Sequence, residues 1–232
     1  VGQPNWYGIG SRNLFAGFTL MRGGFGNSTA IRADSSQAYL VTGRRTSIRL
    51  LDIRIRDLLA TNAHTMLEAN DSDVMLDEVT LSQSNSTGAR YLILANRARL
   101  TVTKSHFYGN NTTGFGAVLK VTDGVADVRN STFVNNIGGA IWFHEQGRGT
   151  VLYSSFAGNS YYNVTAAVGS SKPLLISNNI FAETSNVGSA FIHVSVEHNA
   201  YMHNNLFYET SGNIVEGRNP LRNVEQLNST TF

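Results

Sequence analysis

The sequence predicts an all-β solenoid, a parallel β-helix of about 25 residues per coil, on three observations. A hydrophobic residue recurs at Ile55, Leu81, Phe107, Phe133, Phe156, Phe181 and Phe207, at intervals of 26, 26, 26, 23, 25 and 26 residues. Its surroundings recur with it, as in Ser105-His106-Phe107-Tyr108-Gly109-Asn110, Ser131-Thr132-Phe133-Val134-Asn135-Asn136 and Ser154-Ser155-Phe156-Ala157-Gly158-Asn159. The composition, with 22 Gly, 3 Pro and 15% charged residues, suits short strands joined by tight bends rather than long helices.

One coil can be read from residues 100–121. Leu100 and Val102 alternate with Thr101 and Thr103, the period-2 pattern of a half-buried strand. Ser105 and Phe107 follow after a one-residue shift at Lys104, and Gly109-Asn110-Asn111 is a bend. Gly116 to Val121 reads as another strand, closed by the turn pair Asp123-Gly124. Each coil therefore holds two or three short strands.

Equivalent positions stack into columns. The first inward strand contributes Ile48/Leu50, Val74/Leu76, Leu100/Val102, Ala126/Val128, Gly149/Val151, Leu174/Ile176 and Ala200/Met202. Like residues then lie about 4.8 Å apart, so aliphatic and Phe columns fill the interior. Asn110, Asn136 and Asn159 fall at one bend, where their amides can hydrogen-bond along the stack. Ser105, Ser131, Ser154, Asn179 and Asn205 form a second polar column. A leucine-rich repeat is excluded because its Leu-x-x-Leu-x-Leu spacing is missing, and a β-sandwich does not require a constant register.

These residues resemble the right-handed parallel β-helix, the pectin-lyase-like fold. Phe107-Tyr108-Gly109-Asn110, Phe133-Val134-Asn135-Asn136 and Phe156-Ala157-Gly158-Asn159 fit Phe-x-x-Asn, and Gly138-Gly139-Ala140-Ile141 fits Gly-Gly-Ala-Ile, with Phe115-Gly116-Ala117-Val118 a partial copy. This pair is similar to the repeat of chlamydial polymorphic outer-membrane proteins, which are surface-exposed adhesins. The fold resemblance covers roughly residues 12–220 and the narrower one about 105–160. It implies an extracellular or cell-surface location.

Residues 1–232 read as a single β-helix domain. The end Leu227-Asn228-Ser229-Thr230-Thr231-Phe232 lacks an obvious amphipathic cap. Solenoids need capped ends, so the expectation is a piece of a longer chain, or end coils that stack on partner subunits in a filament. There is no Cys, hence no disulfide, thiol nucleophile or thiolate metal site. No apolar run reaches the ~18 residues of a membrane span. Net charge is +2, yet residues 44–56 carry Arg44, Arg45, Arg49, Arg54 and Arg56 against Asp52 alone. Such a run attracts acidic polymers or serves as a solvated strand face that discourages edge pairing.

Catalysis is not expected. The nearest approach to a catalytic set is Asp77, Asp127 and Arg129, outward on the first strand, with the two carboxylates two coils and about 9–10 Å apart. That separation would suit inverting glycoside hydrolysis, with the arginine neutralising a uronate. The surrounding Thr, Leu and Ser argue for an ordinary solvated face. His144-Glu145 and His193-x-x-x-Glu197-His198 lack metal-site spacing, so no metal and no cofactor is expected.

A binding face is the better candidate. Trp142, Phe143, Tyr161, Tyr162 and Phe191 fall on or near the third strand of successive coils, and one register turns Phe143 and Phe191 outward. Exposed aromatic faces stack on sugars or bind protein. The candidate ligand-binding set is Phe143, Phe191, Tyr161, Tyr162, Arg49 and Arg54. Sequons offer glycosylation at Asn27, Asn70, Asn85, Asn111, Asn163 and Asn228, whereas Asn130 beside the Ser column is expected to be too enclosed. The expected function is a structural, adhesive or glycan-binding surface domain. Its partner would be a polysaccharide, a cell-surface glycan or another surface protein, with no nucleic acid involved. The alternatives are a polysaccharide lyase, hydrolase or epimerase acting on an acidic glycan, and a filament subunit.

Overall fold

In the computed structural model the chain winds as a β-solenoid in which every strand pairing is parallel. The described residues are 6–7, 12–22, 29–31, 41–56, 59–61, 65–87, 91–112, 116–166, 173–184, 191–194, 200–208 and 214–217. Asn27, Asn228, Glu197, His198 and Phe115 lie outside them.

Each coil has three faces. Strands such as Asp73–Asp77, Arg99–Thr103, Val125–Arg129, Arg148–Leu152, Leu174–Ser177 and Ala200–His203 make the first. Thr80–Ser82, His106–Tyr108, Thr132–Val134 and their successors belong to the 9-stranded second face. Tyr91–Asn96, Ala117–Thr122, Gly139–His144, Val164–Ala166 and Ile192–Val194 make the third. Val41–Leu51 joins the third face to the first, because its early residues pair with Leu67–Asn70 and its later ones with Asp73–Asp77. Hydrogen-bonded partners on successive coils are 26 residues apart through most of the stack, 23 apart between Asn136 and Asn159, and 25 apart between Ser154 and Asn179.

The corners explain the one-residue shifts seen in the sequence. Asp71, Arg97 and Asp123 turn the third face into the first, and Glu78, Lys104, Asn130, Tyr153, Asn178 and Asn204 turn the first into the second. All have φ between 47° and 56°, the left-handed region that side chains rarely adopt. What holds them there is the stack. The Glu78 N–H donates to the Thr103 carbonyl at 3.1 Å, Lys104 to Arg129 at 3.2 Å and Asn130 to Leu152 at 3.2 Å. Gly149, with φ of 152°, passes so close to the Ala126 carbonyl that a Cβ would collide with it.

The interior follows the predicted columns. Phe107, Phe133, Phe156, Phe181 and Phe207 stack with centroid separations of 4.7, 5.1, 4.9 and 5.2 Å and nearly parallel rings. Beside them the buried Asn110, Asn136 and Asn159 side chains are bonded along the stack. Asn136 Oδ1 accepts from the Asn110 backbone N–H at 3.1 Å and from its Nδ2 at 3.0 Å, while Asn136 Nδ2 donates to the Phe107 carbonyl and to Asn159 Oδ1. The Ser column runs from the Ser105 N–H to Ser131 Oγ, the Ser131 N–H to Ser154 Oγ, the Ser154 N–H to Asn179 Oδ1 and the Asn179 N–H to Asn205 Oδ1. Buried backbone donors left over at the bends are thereby satisfied, as a dry interior demands.

Several sequence expectations are corrected. Phe143 points inward and is fully buried, because it shares a side of its strand with Ile141 and continues the column of Val121. Phe191 is also core, packed against Phe181 and Phe207 at 6.2 and 5.9 Å between centroids. Neither can present an outward aromatic face. Asn163 is completely buried and terminates the Asn column by accepting from Asn159 Nδ2, so the folded protein has no room there for a glycan. Asn130 is exposed at its corner rather than enclosed. Asn70, Asn85 and Asn111 are half-buried, and Asn70 is tied to Glu68 and Asn96. The basic run 44–56 does not form one patch, since Arg49 lies on the first face and Arg54 on the second, around the corner at Asp52.

Candidate functional site

The third face carries a groove that the repeat alone does not require. Ile93, Leu119, Ile141, Val164 and Ile192 point inward in register, so the next residue of each strand forms an outward column: Leu94, Lys120, Trp142, Thr165 and His193. The alternation slips just before it. Leu92, Val118 and Ala140 are buried together with their inward neighbours, and Tyr91, Ala117 and Gly139 stand in register ahead of them. After Tyr91 that column shrinks to Ala117 and Gly139, and the missing side chains leave a groove of about 180 Å³. Trp142, Tyr161, Tyr162, Thr165 and His193 surround it. Gly139 is fixed by a close backbone approach, because a Cβ there would lie 2.8 Å from the Tyr162 carbonyl oxygen.

The walls are aromatic and braced. Tyr162 stacks on His193 with centroids 4.9 Å apart. Trp142 stands edge-on to Tyr91 and to His144, at 5.6 Å in each case. Lys120 Nζ sits 4.4 Å from the Tyr91 ring centroid and 5.1 Å from that of Trp142, and it donates to the Tyr91 hydroxyl at 3.2 Å. A cation over ring faces is held by their quadrupoles, so Lys120 fixes the two aromatic side chains relative to each other. Burial, reinforced by the Lys120 charge, pushes the His144 pKa below its ordinary value. Trp142 Nε1 is buried without a hydrogen-bond partner among the described residues. A buried indole N–H normally finds one.

Of the predicted binding residues, Tyr161 and Tyr162 reach this groove, while Arg49 and Arg54 lie on other faces. His193, singled out in the sequence beside Glu197 and His198, enters the groove through its stacking on Tyr162. Lys120, Tyr91 and Thr165 were missed. Aligning the third strands on Ile93, Leu119, Ile141 and Val164 would have placed Lys120 and Thr165 in the Trp142 column.

On the first face the three candidate catalytic residues do not converge as a paired-carboxylate centre. Asp77 shares its column with Thr103 and Arg129, whereas Asp127 belongs to the neighbouring column of Met75, Thr101 and Thr150. Thr103 Oγ1 donates to Asp77 at 2.5 Å. Arg129 Nε donates to Asp127 Oδ1 at 2.7 Å, and Thr150 Oγ1 donates to the same oxygen at 2.5 Å. Burial raises the Asp127 pKa, but these two bonds and the nearby Arg129 and Arg99 charges outweigh it and hold the carboxyl below its ordinary value. Both carboxylates are thus acceptors in cross-coil bonds.

A family model described as a right-handed β-helix region matches residues 65–225. No curated protein and no solved structure matches the chain.

Proposed function

The chain belongs to the right-handed β-helix family, and from that premise we propose that it is an extracellular or cell-surface domain that binds a glycan and does not cut it. The observation that carries this reading is the aromatic groove of the third face, with Trp142, Tyr161 and Tyr162 around a floor of Ala117 and Gly139. A concave, mostly apolar site with a few polar groups is the usual form of a ligand pocket. The solenoid supplies a rigid backing, since every strand of the site is paired on both sides or continues the stack. The Phe-x-x-Asn and Gly-Gly-Ala-Ile repeats, similar to those of chlamydial surface adhesins, support an adhesive setting.

Asp77 and Asp127 stand in different outward columns two coils apart and do not form a paired-carboxylate centre, which supports the non-catalytic reading. The test is incubation with a panel of acidic and neutral polysaccharides, recording both retention and new chain ends. Retention without new ends is the expected result. New ends that disappear in Asp127→Ala would overturn the reading and place an active site on the first face.

A further inference from the structure

We propose that the third-face groove takes a single uncharged pyranose unit, held by its C–H face against Trp142 and the Tyr161–Tyr162 wall. This rests on the glycan-binding reading above and narrows it to a ligand class. Three properties of the groove lead to it.

The first is charge. Among the described residues no carboxylate, lysine or arginine lines the groove. Lys120, the neighbouring cation, is already held over the Tyr91 and Trp142 rings and bonded to the Tyr91 hydroxyl. A uronate or sulfate group would lose hydration here without gaining a pairing cation, and an unpaired desolvated charge is strongly disfavoured. The described arginines able to attract an acidic polymer stand elsewhere. Arg99 and Arg148 share an outward column of the first face, with Arg129 on the same face.

The second is surface chemistry. The aromatic walls complement the apolar C–H face of a pyranose. The groove lining is almost entirely apolar, and the groove is open on one side. A ring laid on its C–H face against the aromatic walls keeps its hydroxyl groups directed at solvent, where water satisfies them.

The third is size. At about 180 Å³ the groove falls below the ~300–1,000 Å³ of pockets that enclose drug-sized ligands. It therefore accommodates one ring rather than a run of rings. The stack explains the limit, because the gap over Ala117 and Gly139 is bounded by Tyr91 on the preceding coil and by Tyr162 on the following one.

The experiment measures retention of the intact chain on β-glucan, galactan and mannan, and on polygalacturonate and alginate, at low and high salt. Trp142→Ala and Thr165→Trp are run alongside the parent, and thermal melting checks that each variant folds. Thr165→Trp fills the groove from a half-buried outward position, so it tests occupancy without removing an existing wall. The expected result is salt-insensitive retention on at least one neutral glycan, weakened about tenfold or more by either folded variant. Binding confined to the acidic polymers, lost in high salt and unchanged in both variants, would overturn the inference while leaving the glycan-binding reading intact. Neutral-glycan binding that neither variant weakens would also overturn it. Retention on none of the five would sink both.

Discussion

At the corner beyond the second face, Asn110, Asn136 and Asn159 repeat one residue type through successive coils. On the third face the same stretch of chain places Leu94, Lys120, Trp142, Thr165 and His193 in a single column. Both columns have the same strand spacing and the same parallel register. In the first, Asn136 bonds its copies Asn110 and Asn159 on the adjacent coils, so identity is the stabilising device. In the second, neighbours differ in size and charge, and Trp142, Thr165 and His193 wall a groove opened by the small Ala117 and Gly139 of the adjacent column. The difference separates two demands on a stacked fold. A dry corner needs every donor and acceptor met by an adjacent coil, whereas an outward column is under no such constraint and is free to carry a binding surface.

Substitutions in the repeating columns should give the largest effects. Phe156→Ala removes a fully buried ring from between Phe133 and Phe181. A loss of about 3–5 kcal/mol is expected by urea denaturation. A loss below about 1 kcal/mol would mean that the stack collapses into the space and does not depend on its ring register. Asn136→Leu comes next. It keeps the branched skeleton and adds apolar surface, yet it deletes the acceptor of the Asn110 N–H and the donor to the Phe107 carbonyl. Stranding those buried backbone groups should cost about 2–4 kcal/mol. Leucine matching or exceeding the parent would show that this corner is held by packing alone.

The same contrast explains what was legible in the sequence. Phe107, Phe133, Phe156, Asn110 and Asn136 announce their columns because the fold needs the same residue at the same offset. The coil, its inward strands and both polar columns could therefore be read directly. The groove could not be read that way, since Lys120, Trp142, Thr165 and His193 share no residue type. Phe143 was misplaced for a related reason. Trp142 and Phe143 are adjacent and both aromatic, and only the register through Ile141 decides which one faces out. Tyr91 was missed because two consecutive buried residues, Leu92 and Ile93, break the period-2 pattern next to it. The mixing of columns on the first face, with Asp77 beside Arg129 rather than Asp127, likewise appears only once strands are paired residue by residue.

Trp142→Ala should sharpen the comparison from the other side. The side chain is only half-buried and its indole N–H has no hydrogen-bond partner among the described residues. Its removal should cost less than about 1.5 kcal/mol of stability, within the ordinary range for a single substitution, while sugar retention falls. A stability loss as large as that of Phe156→Ala would make the third-face column part of the structural frame and erase the distinction drawn here.

The smallest expected effect concerns the electrostatics of the groove wall. His144 is pushed below its ordinary pKa of 6.5 first by burial and then by the Lys120 charge, with Glu145 and Asp123 opposing. Because the folded state disfavours the protonated ring, His144 contributes stability that is complete above the unfolded value. That contribution fades as pH falls from about 6.5 toward the lower folded pKa. Lys120→Met removes the charge but keeps an unbranched apolar chain between Tyr91 and Trp142. The His144 pKa, followed by NMR titration of its ring, should rise while remaining subject to the burial effect. The acid-side fall in stability should begin at the same pH and become shallower. An unchanged His144 titration would mean that the Lys120 charge is not felt along the outward surface. The ammonium held over Tyr91 and Trp142 would then act only on those rings, leaving the neighbouring columns electrostatically independent.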